Sequence, residues 1–214
     1  MSDIIINEMN SNHAEALYTM AQAPKILAFS GSARRESLNK ALVTVAAKKA
    51  EALGADVTLV DLKDYPMPIY DGDLEDAEGL PESAEKLRNL FKEQDGFLIS
   101  SPEYNGGYSA LLKNTLDWLS RPYPGEPVLA PFSGKACCLM SASPSGYAGT
   151  QGLAQIVPIL AKMRLVLHHR TFSLPSAHEF FDEAGELNDP HQNETLDLVI
   201  EGAVALAGQV SGKG

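Results

Sequence analysis

The sequence is short of cysteine, of positive charge and of long apolar runs, and each shortage excludes something. Its two cysteines, Cys137 and Cys138, are adjacent. That spacing fits neither a disulfide framework nor a zinc site. Lysine and arginine number 17 against 28 aspartates and glutamates, a net charge of −11. Such a surface argues against a general nucleic-acid binder, because phosphate backbones require a basic one. A local anion site is still allowed. No stretch approaches the roughly 20 apolar residues of a membrane span. The opening MSDIIINEMNSNHAEALYTMAQAP has neither a basic n-region nor a long apolar run, so no signal peptide is expected there. A cytoplasmic protein without a membrane partner is expected. Three motifs are also missing: the G-x-G-x-x-G of a dinucleotide turn, the G-x-x-x-x-G-K-[ST] of a nucleoside triphosphatase, and the G-x-S-x-G of a hydrolase elbow.

What is present is ordinary globular composition, 44% hydrophobic, in 214 residues, enough for one domain with a sizeable core. Residues 1–24 read as an N-terminal extension, a frayed tail or a segment packed on a partner subunit, and residues 25–210 as the domain. Apolar runs alternate with helical spacing. Strands are predicted at Ile26–Ser30, Val57–Leu62, Gly96–Ser100, Lys135–Met140 and Arg164–Phe172. Helices are predicted near 37–53, 81–94, 109–121, 151–163 and 192–209. The acid-rich DGDLEDAEG, Asp71–Gly79, reads as a solvated loop. Cys137 and Cys138 fall in the fourth strand, so at least one belongs to the core. Trp118 reads as core or interface. Five strands alternating with helices imply an α/β fold: a doubly wound five-stranded parallel sheet, order 2-1-3-4-5, in three α/β/α layers. In that order ligands bind where the chain reverses, outside the carboxyl ends of strands 1, 3 and 4.

The loop after strand 1 reads GSARRESLN. A helix N-terminus near Ser37 has unpaired N–H groups and the positive end of the helix dipole. Hydroxyls of Ser32 and Ser37, the amide of Asn39 and the guanidinium of Arg34 add donors, which suits a terminal phosphate. No cysteine lies in this loop, which excludes a thiolate phosphatase there. After strand 3, SPEYNGGYS carries a stiffening Pro102 and a glycine pair. Its backbone at Glu103, Tyr104, Asn105 and Gly106 can present N–H and C=O groups to a flat heteroaromatic ring. Tyr104 or Tyr108 can pack against such a ring. After strand 4, SASPSGYAGT is small, polar and flexible.

GSARRESLNKAL, SPEYNGGYSALLKNTLDWLSRP and SASPSGYAGTQG resemble the NADPH-dependent FMN reductase family over about Lys25 to Gly208. The resemblance implies a flavodoxin-like fold and FMN as cofactor, with NADPH or NADH as hydride donor. It further implies a small-molecule electron acceptor: a quinone, an azo compound, a metal oxyanion or free flavin. Gly31, Ser32, Arg34, Ser37 and Asn39 match the family's phosphate loop, and Pro102 to Asn105 its flavin-edge loop. The fourth loop departs from the family pattern, which carries more glycine and an arginine near Gly149 and Thr150. The expected cofactor-binding set is Ser32, Arg34, Ser37, Leu38 and Asn39 from the first loop, Pro102, Glu103, Tyr104, Asn105 and Gly106 from the second, and Ser141, Ser143 and Gly146 from the third. No catalytic side chain and no metal are expected, because the flavin would carry the chemistry. A homodimer or homotetramer is expected, with Leu116, Trp118 and Leu119 as a plausible contact surface. A flavodoxin-type electron carrier docking to a redox protein is the alternative, and a flavin-free interaction domain a third.

Overall fold

The computed structural model describes residues 22–213. The expected N-terminal extension lies largely outside that range. Strand β1 (Lys25–Ser30) leads through the first loop into helix α1 (Leu38–Ala52) and strand β2 (Asp56–Asp61). Helices α2 (Gly72–Glu78) and α3 (Glu82–Lys92) precede β3 (Gly96–Ser100). A hairpin of β4 (Glu103–Tyr104) and β5 (Gly107–Tyr108) then leads to α4 (Ala110–Leu119). Strand β6 (Ala136–Ala142), α5 (Thr150–Lys162), β7 (Val166–Leu167), β8 (Phe172–Leu174) and α6 (Pro190–Ser211) complete the chain.

The main sheet is parallel, in the order β2-β1-β3-β6-β7, with β8 also paired to β6. This is the expected flavodoxin-like order. Each central strand alternates between two covered faces. Ile26, Ala28, Leu98 and Cys138 face α1 and α6, whereas Leu27, Phe29, Phe97, Ile99 and Cys137 face α3, α4 and α5. Adjacent residues in a strand point to opposite faces, so a doubly covered sheet buries both cysteines. Burial pushes the Cys138 thiol up to about 12 and Cys137 well above its ordinary value.

Three expectations are corrected. The fifth strand is two short pieces: β7 pairs with Ala136 and Cys137, and β8 with Met140 to Ala142. It also starts later than Arg164, which takes a left-handed φ of 66° and ends α5, while the Leu165 N–H reaches back to Leu160 O. The Asp71–Gly79 stretch is not a loop. Asp71 caps α2 by accepting from Asp73 N, and Glu75 accepts from Arg121 Nε and Tyr70 Oη, which fixes the short helix to α4. Finally, Leu116, Trp118 and Leu119 are buried within this chain, with Trp118 Nε1 donating to Pro68 O at 2.8 Å. They face the sheet and are no surface for a second subunit.

Candidate functional site

The carboxyl ends of β1, β3 and β6 open on one edge of the sheet, and their loops form a crevice. The first loop crosses under α4 at Gly31, whose N–H donates to Ser100 O at 2.9 Å while its carbonyl accepts from Ser109 Oγ at 2.6 Å. A Cβ at Gly31 would stand 3.0 Å from Ser109 Oγ and 3.1 Å from Leu112 Cβ. The close crossing therefore requires glycine. Ser109 also caps α4 by accepting from Leu112 N. Beyond Gly31, the Ser32 hydroxyl accepts from Arg34 N at 3.3 Å, and Ser37, the N-cap of α1, accepts from Lys40 N at 3.4 Å. Both hydroxyls thus accept from backbone, which leaves each proton free to donate outward.

Asn39 is also tied to the sheet. Its side chain is buried, with Nδ2 donating to Ala142 O at 2.8 Å and Oδ1 accepting from Ser100 Oγ at 2.9 Å and from Ala142 N at 3.0 Å. Strand β3 has ended by this level, so the Asn39 amide pairs with the Ala142 peptide as a neighbouring strand would. It fastens the start of α1 to the tips of β3 and β6.

The second wall is the β4–β5 hairpin. Asn105 and Gly106 both take positive φ, 52° and 77°, and form its two-residue turn. Asn-Gly is the favoured pair for such a turn. Glu103 Oε2 accepts from Gly152 N at 2.8 Å, and Gln155 Nε2 donates to Gly106 O at 2.6 Å, so the hairpin docks on α5. The third wall follows β6. Ser141 is buried, and its hydroxyl donates to Ala148 O. Ser143 N donates to Leu174 O, and Ala177 N donates to Ser143 O, which ties this loop to β8.

These loops enclose an open crevice of about 430 Å³. Nine of the thirteen expected residues line it: Ser32, Arg34, Ser37, Leu38, Asn39, Pro102, Glu103, Tyr104 and Ser143. Asn105 and Gly106 lie at the hairpin tip, Ser141 beneath the third loop, and Gly146 on its exposed side, outside that lining. Glu36, Ala142, Pro144 and His178 line the crevice without having been singled out in the sequence. Glu36 sat within the first motif. His178 carried no local signal: it arrives from the turn after β8, through the backbone bonds that tie that turn to Ser143.

The electrostatics select an anion. Among the described residues no carboxylate pairs with Arg34 or Arg35, although most other basic side chains near acids are paired. Lys40, the next cation along α1, is held by Asp61 at 2.6 Å. Partial burial works to raise the Asp61 carboxyl, but hydrogen bonds from Lys40 and Lys63 outweigh it and hold it below its ordinary value. Of the two arginines, Arg34 lines the crevice beside the α1 N-terminus, together with Glu36, and in a chain with an excess of acid a guanidinium free of a carboxylate there suits an anion. Free hydroxyl donors, the Arg34 guanidinium and a crevice leading to a half-exposed Tyr104 fit a phosphate ester attached to a flat ring system. The donor set thus fits FMN.

Comparison with known proteins agrees. The family model for NADPH-dependent FMN reductase matches residues 24–179. A probable NADPH:quinone oxidoreductase of Oryza sativa subsp. japonica is 32% identical, covering 91% of this chain and 94% of its own. An NAD(P)H-dependent FMN reductase of Pseudomonas aeruginosa is also 32% identical, over 85% of this chain and 94% of its own. Among solved structures, the flavoenzyme NAD(P)H:(acceptor) oxidoreductase FerB of Paracoccus denitrificans superposes with a TM-score of 0.75 at 25% identity, covering 87% of this chain and 98% of that one. The chain belongs to the NADPH-dependent FMN reductase family, and its general activity is that of an FMN-dependent NAD(P)H oxidoreductase.

Proposed function

We propose that the crevice binds FMN with its phosphate at the N-terminus of α1 and its ring against the Pro102–Tyr104 wall, and that the enzyme passes hydride equivalents from NADPH or NADH to a small acceptor of the quinone type. Azo compounds, metal oxyanions and free flavin belong to the same acceptor class. FMN, when bound, supplies the hydride acceptor and the two-electron store. The chain's own part is to bind, orient and tune. Arg34 contributes a charge-assisted bond, and Ser32 and Ser37 contribute neutral donors to the ester. Tyr104 offers an aromatic edge beside Pro102, and the open mouth admits a second flat molecule. The observation that carries this reading is Arg34, which lines the crevice at the α1 N-terminus and pairs with no carboxylate among the described residues, in a protein that is otherwise strongly acidic. The relatives' names, which mention quinone and FMN, support the acceptor class.

The test is anaerobic rapid mixing of the FMN-loaded protein with NADPH and with NADH, followed at the flavin absorbance band. Bleaching without a partner protein, followed by recovery on adding a quinone, is the expected result. A loaded protein whose colour survives both nicotinamides would refute the oxidoreductase reading and favour an electron carrier. Substituting Arg34 and Ser37 together by alanine removes one charged and one neutral bond, so FMN retention should fall by about 100-fold.

A further inference from the structure

We infer that Glu103 is a positioning residue whose carboxylate caps helix α5 and so clamps the β4–β5 hairpin into the crevice wall. The inference rests on the reading of that crevice as an FMN site. Helix α5 begins after Gly149, which has a left-handed φ of 77° and no side chain with which to cap. Its first turn therefore needs an acceptor from elsewhere. Glu103 Oε2 supplies it, taking the Gly152 N–H at 2.8 Å. A carboxylate at that end also complements the helix dipole.

The sequence makes room for this contact. A Cβ at Gly152 would stand 3.3 Å from Glu103 Cβ and 3.3 Å from Gly107 O, so a side chain there would push the hairpin away. One turn further along α5, Gln155 Nε2 donates to Gly106 O at 2.6 Å. The helix thus grips the hairpin at its first residue and at its turn. The hairpin needs that grip. It forms a separate two-stranded sheet with no ladder to the main one. A hairpin of this kind is marginal alone in water. Pro102 and Tyr104, which line the crevice, flank the clamped residue.

The clamp also distinguishes the α1 N-terminus, which lines the crevice, from the α5 N-terminus, which meets the crevice wall through Glu103. The α5 terminus is closed by the chain's own carboxylate. The α1 terminus carries the neutral Ser37 cap, with Arg34 and Glu36 beside it and, among the described residues, no carboxylate bonded to its N–H groups. An anionic ester is therefore directed to α1, and Glu103 sets the wall against which the attached ring lies.

The experiment is a fluorescence titration of flavin-stripped protein with FMN and with riboflavin, in wild type, Glu103→Ala and Glu103→Gln. Loss of the cap should weaken both ligands equally, by about tenfold in Glu103→Ala. Glu103→Gln keeps an acceptor oxygen and should stay within about threefold of wild type. Arg34→Ala, in contrast, should weaken FMN alone. The bound-flavin absorbance band should shift in Glu103→Ala and be restored in Glu103→Gln, because the band reports on the surroundings of the ring. Wild-type affinity for both flavins in Glu103→Ala would overturn the inference while leaving the FMN reading intact. So would a loss confined to FMN, or a failure of Glu103→Gln to restore binding. A wild-type protein that takes up neither flavin would overturn both.

Discussion

Substitution of Asn39 by alanine should be the most damaging single change near the site, and its size follows from three bonds. The buried amide donates to Ala142 O and accepts from Ser100 Oγ and Ala142 N. Alanine leaves all three partners without it, at the buried junction of α1, β3 and β6. A buried hydrogen bond contributes about 1 kcal/mol net, and an orphaned polar group costs roughly 1–3 kcal/mol. Ser100 Oγ can rotate toward another acceptor, but the Ala142 peptide is held by the sheet. The expected loss is about 3–5 kcal/mol, or a drop in Tm of about 6–20 °C for a domain of this size. Ser100→Ala removes one bond only and should cost about 1 kcal/mol. Asn39→Asp does not rescue, since it sets a carboxylate oxygen against Ala142 O. Equilibrium urea denaturation of the flavin-free protein gives these values directly, with flavin binding kept out of the comparison. A loss for Asn39→Ala within about 1 kcal/mol of wild type would refute the idea that this amide substitutes for a strand.

Three further outcomes follow from the packing and the charges. Cys137 and Cys138 are buried with raised thiols, so an aromatic disulfide reagent should label neither in the native protein and both in urea; fast native labelling would contradict the doubly covered sheet. Arg121 holds the Glu75 carboxyl below its ordinary value, so the stability it adds is complete above the usual carboxylate range and disappears as pH falls through the lowered value. The difference in urea midpoint between wild type and Arg121→Ala should therefore shrink from neutral pH toward pH 3, and a constant difference would show that the ion pair is not its source. Gly149→Ala places a Cβ 2.7 Å from Ser141 Oγ at a left-handed position, and should cost about 1–3 kcal/mol in thermal unfolding, recovered in part by adding Ser141→Ala.

Elements with strong periodicity were legible in the sequence. The apolar strands at 26–30, 96–100 and 135–140 alternate with helices whose buried faces repeat at helical spacing, and the count of five strands matches the common doubly wound order that the sheet adopts. The fifth strand was only partly legible, because Arg164–Phe172 reads as one continuous strand while the chain leaves the sheet between Leu167 and Phe172. Helix α2 was hidden by its acidity. It is only seven residues long, and its fixing contacts come from Arg121 and Tyr70, which no local pattern reveals. At the site, the first loop was readable because hydroxyls, guanidiniums and a helix start are contiguous there. The roles of individual residues were less so. Asn39, read as a ligand donor, lines the crevice and also fastens the sheet, through partners 61 and 103 residues away that no local pattern reveals. Asn105-Gly106 carried the signature of a hairpin turn, a local signal that was available. His178 reaches the crevice only through tertiary contacts, so no local pattern in the sequence could have pointed to it.

The claim that most depends on measurement is the anion cradle at the opening of α1. Calorimetric titration of the flavin-stripped enzyme with FMN and with riboflavin isolates it, because the two ligands differ only in the ester. A preference for FMN of about 100-fold or more, lost in the Arg34→Ala, Ser37→Ala double variant, is the predicted result. Equal affinity for the two flavins in the wild-type enzyme would contradict it.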